Sequence, residues 1–168
     1  AAVHAPSTQG LARGSAGPPS AAEVPRAVLP SAVSLASGEA VTRRVMDSDN
    51  SCLFNAVGYC MEHSKTMAAV LREVVALAVA ARPDEYGEAV LGKSTEEYQR
   101  WICKPESWGG AIELAILSEH FSTEIHAADL VSCRIDRYGE GRNYSQRILL
   151  MYDGAGLAGW QLGPTSCS

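Results

Sequence analysis

Asp49-Asn50-Ser51-Cys52-Leu53-Phe54 sets a cysteine at the junction between a small polar loop and an apolar run. Leu53, Phe54, Val57 and Cys60 recur at helical spacing, which predicts a helix over about residues 51–63 with Cys52 at its start. A thiol in that position meets backbone N–H groups without intrahelical partners and the positive end of the helix dipole, and both favour the thiolate. The plainer reading makes Cys52 a small buried hydrophobe, with Asp49 and Asn50 as helix caps. On the catalytic reading the loop shapes backbone N–H groups, that of Cys52 among them, to face a developing oxyanion. Cys60 falls on the apolar face two turns later, so Cys52 is the better candidate for a reactive thiol.

Further along, apolar residues at Met67, Val70, Leu71, Val74, Val75 and Ala78 predict a helix over about 66–81, ended by Pro83. A short helical piece around 84–91 closes at Gly92. Ser94-Thr95-Glu96-Glu97 is a capping box that opens a helix carrying Tyr98, Trp101 and Ile102. The Trp108-Gly109-Gly110 turn leads into a helix from Ala111 to about Phe121, expected to bury Ile112, Ala115, Ile116 and the stem of Glu119. Strand-like runs occupy 41–45, 124–128, 132–137 and 147–152. Helices first and strands afterwards indicate an α+β or mixed α/β domain on a small sheet. Asp153-Gly154 is a hairpin signal that demands a partner strand. The segment supplied, Gly156-Leu157-Ala158-Gly159-Trp160-Gln161-Leu162-Gly163-Pro164, reads as a poor strand, foreign to the domain it follows.

The 168 residues suffice for one domain with a core. A net charge of −5 argues against a nucleic-acid grip, and no apolar run reaches the ~20 residues that span a bilayer. Five scattered cysteines without a CxxC pair signal neither a zinc site nor a redox motif, and fit a reducing, cytoplasmic setting. Residues 1–40, rich in Ala, Pro, Ser and Gly, read as a disordered tail or linker, with a transit peptide as the alternative.

Four blocks occur in order: Asp49 to Phe54, Trp108-Gly109-Gly110-Ala111-Ile112-Glu113, Arg134 to Glu140, and Leu149-Leu150-Met151-Tyr152-Asp153-Gly154. Together they resemble the ovarian-tumour (OTU) family of cysteine deubiquitinases, in the branch that works with an AAA segregase. The resemblance covers about 41–154, taken as the domain, and leaves 155–168 as an atypical tail. It implies a papain-like fold with a small, mostly antiparallel sheet flanked by helices, and no cofactor or metal. It also implies ubiquitin or polyubiquitin as partner, a segregase engaged through regions outside this chain, and a monomer. Cys52 would attack the carbonyl of ubiquitin's C-terminal glycine to give an acyl-enzyme. Asp49 would be the aspartate of the catalytic loop, with Asn50 beside it in the oxyanion-forming cysteine loop. Trp108 and Gly109 would flank the ubiquitin-contacting loop, about 102–108.

A cysteine nucleophile needs a base. The resemblance implies an apolar residue and then a histidine after Tyr152-Asp153-Gly154, where this chain has Ala155 and Gly156. His63 lies eleven residues along the Cys52 helix, about 16 Å away at the helical rise. His120 and His126 sit on other elements, and His4 lies in the tail. Weak or no turnover is therefore expected, from a copy truncated before the catalytic histidine. The alternative is a catalytically dead ubiquitin-binding relative.

Overall fold

The computed structural model describes residues 32–34, 36 and 40–154, and residues 157–163 as backbone. The element order is β1 (Ala32–Ser34), β2 (Ala40–Val45), α1 (Cys52–Glu62), α2 (Ala68–Ala81), α3 (Glu88–Leu91), α4 (Thr95–Ile102), α5 (Ala111–His120), β3 (Thr123–Asp129), β4 (Arg134–Tyr138), β5 (Gln146–Tyr152) and β6 (Leu157–Gly163). The six strands run β1-β2-β6-β5-β3-β4, and every pairing is antiparallel except β3 with β5.

The sheet carries its core on one face. Along β3, Thr123 and Ile125 are buried while Glu124 and His126 are only partly covered; β5 buries Ile148 and Leu150. That two-residue alternation marks strands with one packed face. α1 packs on β5 and β6, α5 packs on β3 and β4, α2 packs on α1 and α5, and α4 packs on α2. One continuous cluster unites these layers, with Phe54, Val57, Val75, Val79, Ile102, Leu117, Ile125 and Leu150 excluded from solvent.

Local signals account for the helix ends. Ser94 Oγ accepts the Glu97 N–H at 3.2 Å and Glu97 Oε2 accepts the Ser94 N–H at 3.4 Å, completing the expected capping box. α3 closes on Gly92, whose φ of 69° lies in the left-handed region that glycine enters without strain. On α1 the predicted face (Leu53, Phe54, Val57, Cys60) is the buried one.

Three expectations are corrected. Residues 32–34, read as part of the linker, form β1 and pair with β2; residues 1–31 lie outside the described residues. In α5 the core face holds Glu113, Leu114, Ile116, Leu117 and Ser118, whereas Ala115 and Glu119 are exposed and Ile112 is half-buried. The polar members have internal partners: Ser118 Oγ donates to the Thr123 carbonyl at 2.8 Å, and Glu113 accepts from the Gly110 N–H at 2.6 Å. A helix face with satisfied polar groups loses its apolar period without losing its burial.

The third correction is the largest. The segment read as a poor, foreign strand is β6, paired along its length with β2 (Val45 to Ala158, Ala40 to Gly163) and with β5 (Tyr152 to Leu157, Leu149 to Trp160). The Asp153-Gly154 hairpin signal thus receives its partner, through a turn in which Gly154 adopts a φ of 87°. Backbone pairing asks little of side-chain identity, and β2 and β5 would each present an open edge without β6.

Candidate active site

Cys52 is the first residue of α1 and is 6% exposed. The preceding loop turns on Asp49, whose Oδ1 accepts the Ser51 N–H at 2.9 Å and whose carbonyl accepts the Cys52 N–H at 3.3 Å. Ser51 occupies the N-cap but makes no side-chain cap bond, so Asp49 shapes the entry to the helix from outside it. The thiol therefore sits at the N-terminal end of the α1 dipole, as the loop sequence indicated.

The opposite wall is the Trp108-Gly109-Gly110 turn. The Trp108 indole N–H donates to Asn50 Oδ1. Gly109 lies against Leu53 and Phe54, and Gly110 donates its N–H to Glu113, whose other carboxylate oxygen accepts from the Tyr98 hydroxyl. Burial first, then the charge and hydrogen bond of Glu113, push the Tyr98 phenol far above its ordinary value, so it stays a donor. A third wall is the end of β5. Burial first, then the negative charges of Asp129, Cys52 and Asp153, raise the Tyr152 phenol above its ordinary value. Tyr152 Oη donates to the Gly154 carbonyl at 3.1 Å.

Cys52, Asp49, Asn50, Trp108 and Gly109 are thus gathered in one place. Arg72 is the residue that pattern reading missed. It rises from α2, 2% exposed, and its guanidinium donates to main-chain carbonyls of both walls, Asn50 at 3.0 Å and Ser107 at 2.8 Å. It also stacks over the Phe54 ring at 4.3 Å. Burial pulls the guanidinium below its ordinary value, opposed chiefly by Glu113 and Asp49, and it remains cationic. The clue was present: Arg72 stands three residues before Val75 and seven before Val79, on their face of the helix.

The described histidines are not brought to Cys52. His63 caps the far end of α1. His120 ends α5 and lines, with Val74, Leu77, Ala78, Arg82 and Glu119, a groove of about 400 Å³ that holds none of the site residues. His126 points to the sheet face away from α1 and contacts Glu124 Oε1 at 2.7 Å. His4, Ala155 and Gly156 lie outside the described residues. Cys60 differs sharply from a reactive thiol, because burial raises it to about 12. Among the described residues, no group of three or more His, Cys, Asp and Glu is placed to hold a metal ion.

The OTU-like cysteine protease family model matches residues 47–157, from the cysteine loop to the first residue of β6. The chain belongs to this family. The ovarian tumour domain-containing deubiquitinating enzyme 2 of Arabidopsis thaliana is 51% identical over 124 residues, 74% of this chain and 60% of that relative. The ubiquitin thioesterase OTU1 of Dictyostelium discoideum is 52% identical over 114 residues, 67% of this chain and 35% of the relative. This OTU chain thus spans less than two thirds of either relative. A solved OTU domain in complex with ubiquitin superposes with a TM-score of 0.71 at 32% identity, covering 79% of this chain and 78% of that one.

Proposed function

We propose that this chain is a ubiquitin thioesterase, with Cys52 forming an acyl-enzyme at the C-terminal glycine of ubiquitin. The observation that carries the reading is Cys52 itself, opening α1 between the Asp49–Ser51 loop and the Trp108–Gly110 turn. The thiolate adds to the glycine carbonyl, and the oxygen that becomes negative is stabilised by N–H groups at the start of α1, the Cys52 N–H joining them only by leaving its 3.3 Å bond to the Asp49 carbonyl. Collapse of the adduct breaks the bond from the glycine carbonyl carbon to the amine or alcohol, which takes its proton from solvent. Water then cleaves the thioester to free ubiquitin's carboxylate and the Cys52 thiol. Asp49 shapes the cysteine loop, Asn50 anchors it to Trp108, and Trp108 with Gly109 borders the groove for ubiquitin's tail.

Turnover is proposed to be low, because Ala155 and Gly156 follow Tyr152-Asp153-Gly154 where the resemblance implies an apolar residue and then a histidine. General bases contribute about 100- to 10,000-fold in such reactions. Ubiquitin or polyubiquitin is the proposed partner, and an AAA segregase is added on the resemblance alone. A monomer in a reducing, cytoplasmic compartment, as the sequence reading expects, completes the proposal.

Intact-mass detection of an adduct with ubiquitin carrying a C-terminal electrophile tests the reading, beside a Cys52→Ala control. A Cys52-dependent adduct is expected; no adduct from a folded chain overturns it.

A further inference from the structure

The Arg72 guanidinium reaches two loops separated by half the described chain. Nη1 donates to the Ile102 carbonyl at 2.9 Å. Nη2 donates to Ser107 O at 2.8 Å and Asn50 O at 3.0 Å, with longer contacts at 3.3 Å to Ser51 Oγ and Pro105 O. Nη2 carries two hydrogens, so the short contacts give one to each loop and the longer ones share them. Trp108 adds a second tie at Asn50 through its indole N–H.

We propose that Arg72 is a positioning residue for the Cys52 chemistry: one guanidinium fixes the cysteine loop against the loop that follows α4. The inference rests on Cys52 being the reacting thiol. Asn50 stands two residues before Cys52, so movement of its carbonyl carries the Cys52 N–H and Sγ with it. A displacement of about 1 Å at a reacting centre costs about 100-fold in rate. Packing alone does not call for an arginine here, since an apolar side chain of similar volume fills a core without desolvating a cation. The planar fork matters because it aims separate hydrogens at acceptors in two directions, which an ammonium does not reproduce.

The test is amide hydrogen exchange on the full chain and on Arg72→Met, with circular dichroism to confirm folding. Peptides covering 47–51 and 103–108 are expected to lose protection together, by about tenfold or more, the effect of losing one hydrogen bond to a charged group. Peptides from β3 are expected to be unchanged. Protection that survives in either loop, or that falls equally in β3, overturns the proposal. If Arg72→Met does not fold, Arg72→Lys takes its place in the same measurement. A lysine variant with both loops protected as in the parent overturns the need for a fork, and failure of both variants to fold makes the arginine a general stability element instead.

The ubiquitin electrophile supplies a second readout. In the folded variant the maximal rate of adduct formation is expected to fall about 100-fold at unchanged half-saturating concentration; the opposite split overturns the proposal. If the parent chain forms no adduct, the thioesterase reading fails, while exchange still decides whether Arg72 joins the two loops.

Discussion

Gly109 and Phe54 stand so close that a β-carbon on Gly109 would lie 3.0 Å from both Cε2 and Cζ of the phenylalanine ring, and 3.2 Å from Leu53 Cδ2. Phe54 is wholly buried and has Arg72 stacked on it, so the ring has nowhere to retreat. Gly109→Ala is therefore expected to destabilise the chain by about 1–3 kcal/mol, the usual effect of overpacking. Because Leu53 and Phe54 directly follow Cys52, adduct formation is expected to slow as well. Chemical denaturation and adduct kinetics on the same variant check both effects.

Two carboxylates of β3 predict an acid-sensitive contribution to stability. Glu124 is held below its ordinary 4.5 by hydrogen bonds from His126 and Arg147. Asp129 is also lowered, because hydrogen bonds from the Ser132 hydroxyl and the Val131 and Ser132 N–H groups outweigh its burial. A depressed carboxylate stabilises the fold above its unfolded value and ceases to do so as pH falls through the folded one. The Glu124 contribution is thus present above about pH 4.5 and that of Asp129 above about pH 3.8, and each is lost as pH falls through its lowered folded value. Glu124→Gln and Asp129→Asn are expected to flatten the fall in melting temperature as pH drops below about 4.5. An unchanged slope in the double variant contradicts these assignments.

Cysteine labelling should separate the buried thiol from the exposed ones. With Cys60 raised to about 12 by burial, only a minute fraction is thiolate at neutral pH. Cys103 and Cys133 are exposed and are expected to react first with iodoacetamide, leaving Cys60 unmodified until the chain unfolds. Mass mapping of the labelled peptides checks the order, and early labelling of Cys60 in folded protein rejects it.

The proposal that turnover is low for want of a histidine is open to a direct test. Since β6 already provides the strand beyond the Asp153-Gly154 turn, Ala155→Ile with Gly156→His is the change that tests the proposal. Hydrolysis of a ubiquitin C-terminal fluorogenic substrate is expected to rise about 100-fold or more, the contribution of a positioned base. The gain should vanish with Cys52→Ala. A folded double variant that gains no activity overturns the missing imidazole as the proposed reason for low turnover.

Much of the architecture was legible because local signals agreed with one another. The α1 face, the Ser94–Glu97 capping box, the Gly92 stop and the Asp153-Gly154 turn each depend on residues close in sequence. Cys52 was legible for the same reason, since a polar loop running into an apolar helix is a local event. Arg72, Glu113 and Ser118 were not, because their burial depends on acceptors and donors contributed by distant segments. β6 was missed on composition: its alanine and glycines rank low as strand formers, yet two waiting neighbours decide the matter. The parallel β3–β5 pairing was equally invisible, since periodicity along a strand does not say which strand lies beside it.

The place of β6 in the sheet has a consequence for how the chain comes to fold. β2 and β5 are not neighbours; each is hydrogen-bonded to β6, which is made after both. On the ribosome, α1, α2 and α5 can gather around the β3–β5 half, but β1 and β2 must wait for residues 157–163 to emerge. Pairing Ala40 with Gly163 closes a loop spanning most of the chain. Such long-range pairing is slow to form and leaves strand edges exposed meanwhile. The nascent polypeptide is therefore most exposed while residues 157–163 are still to be made, when the first strands lack the one that joins them to the rest.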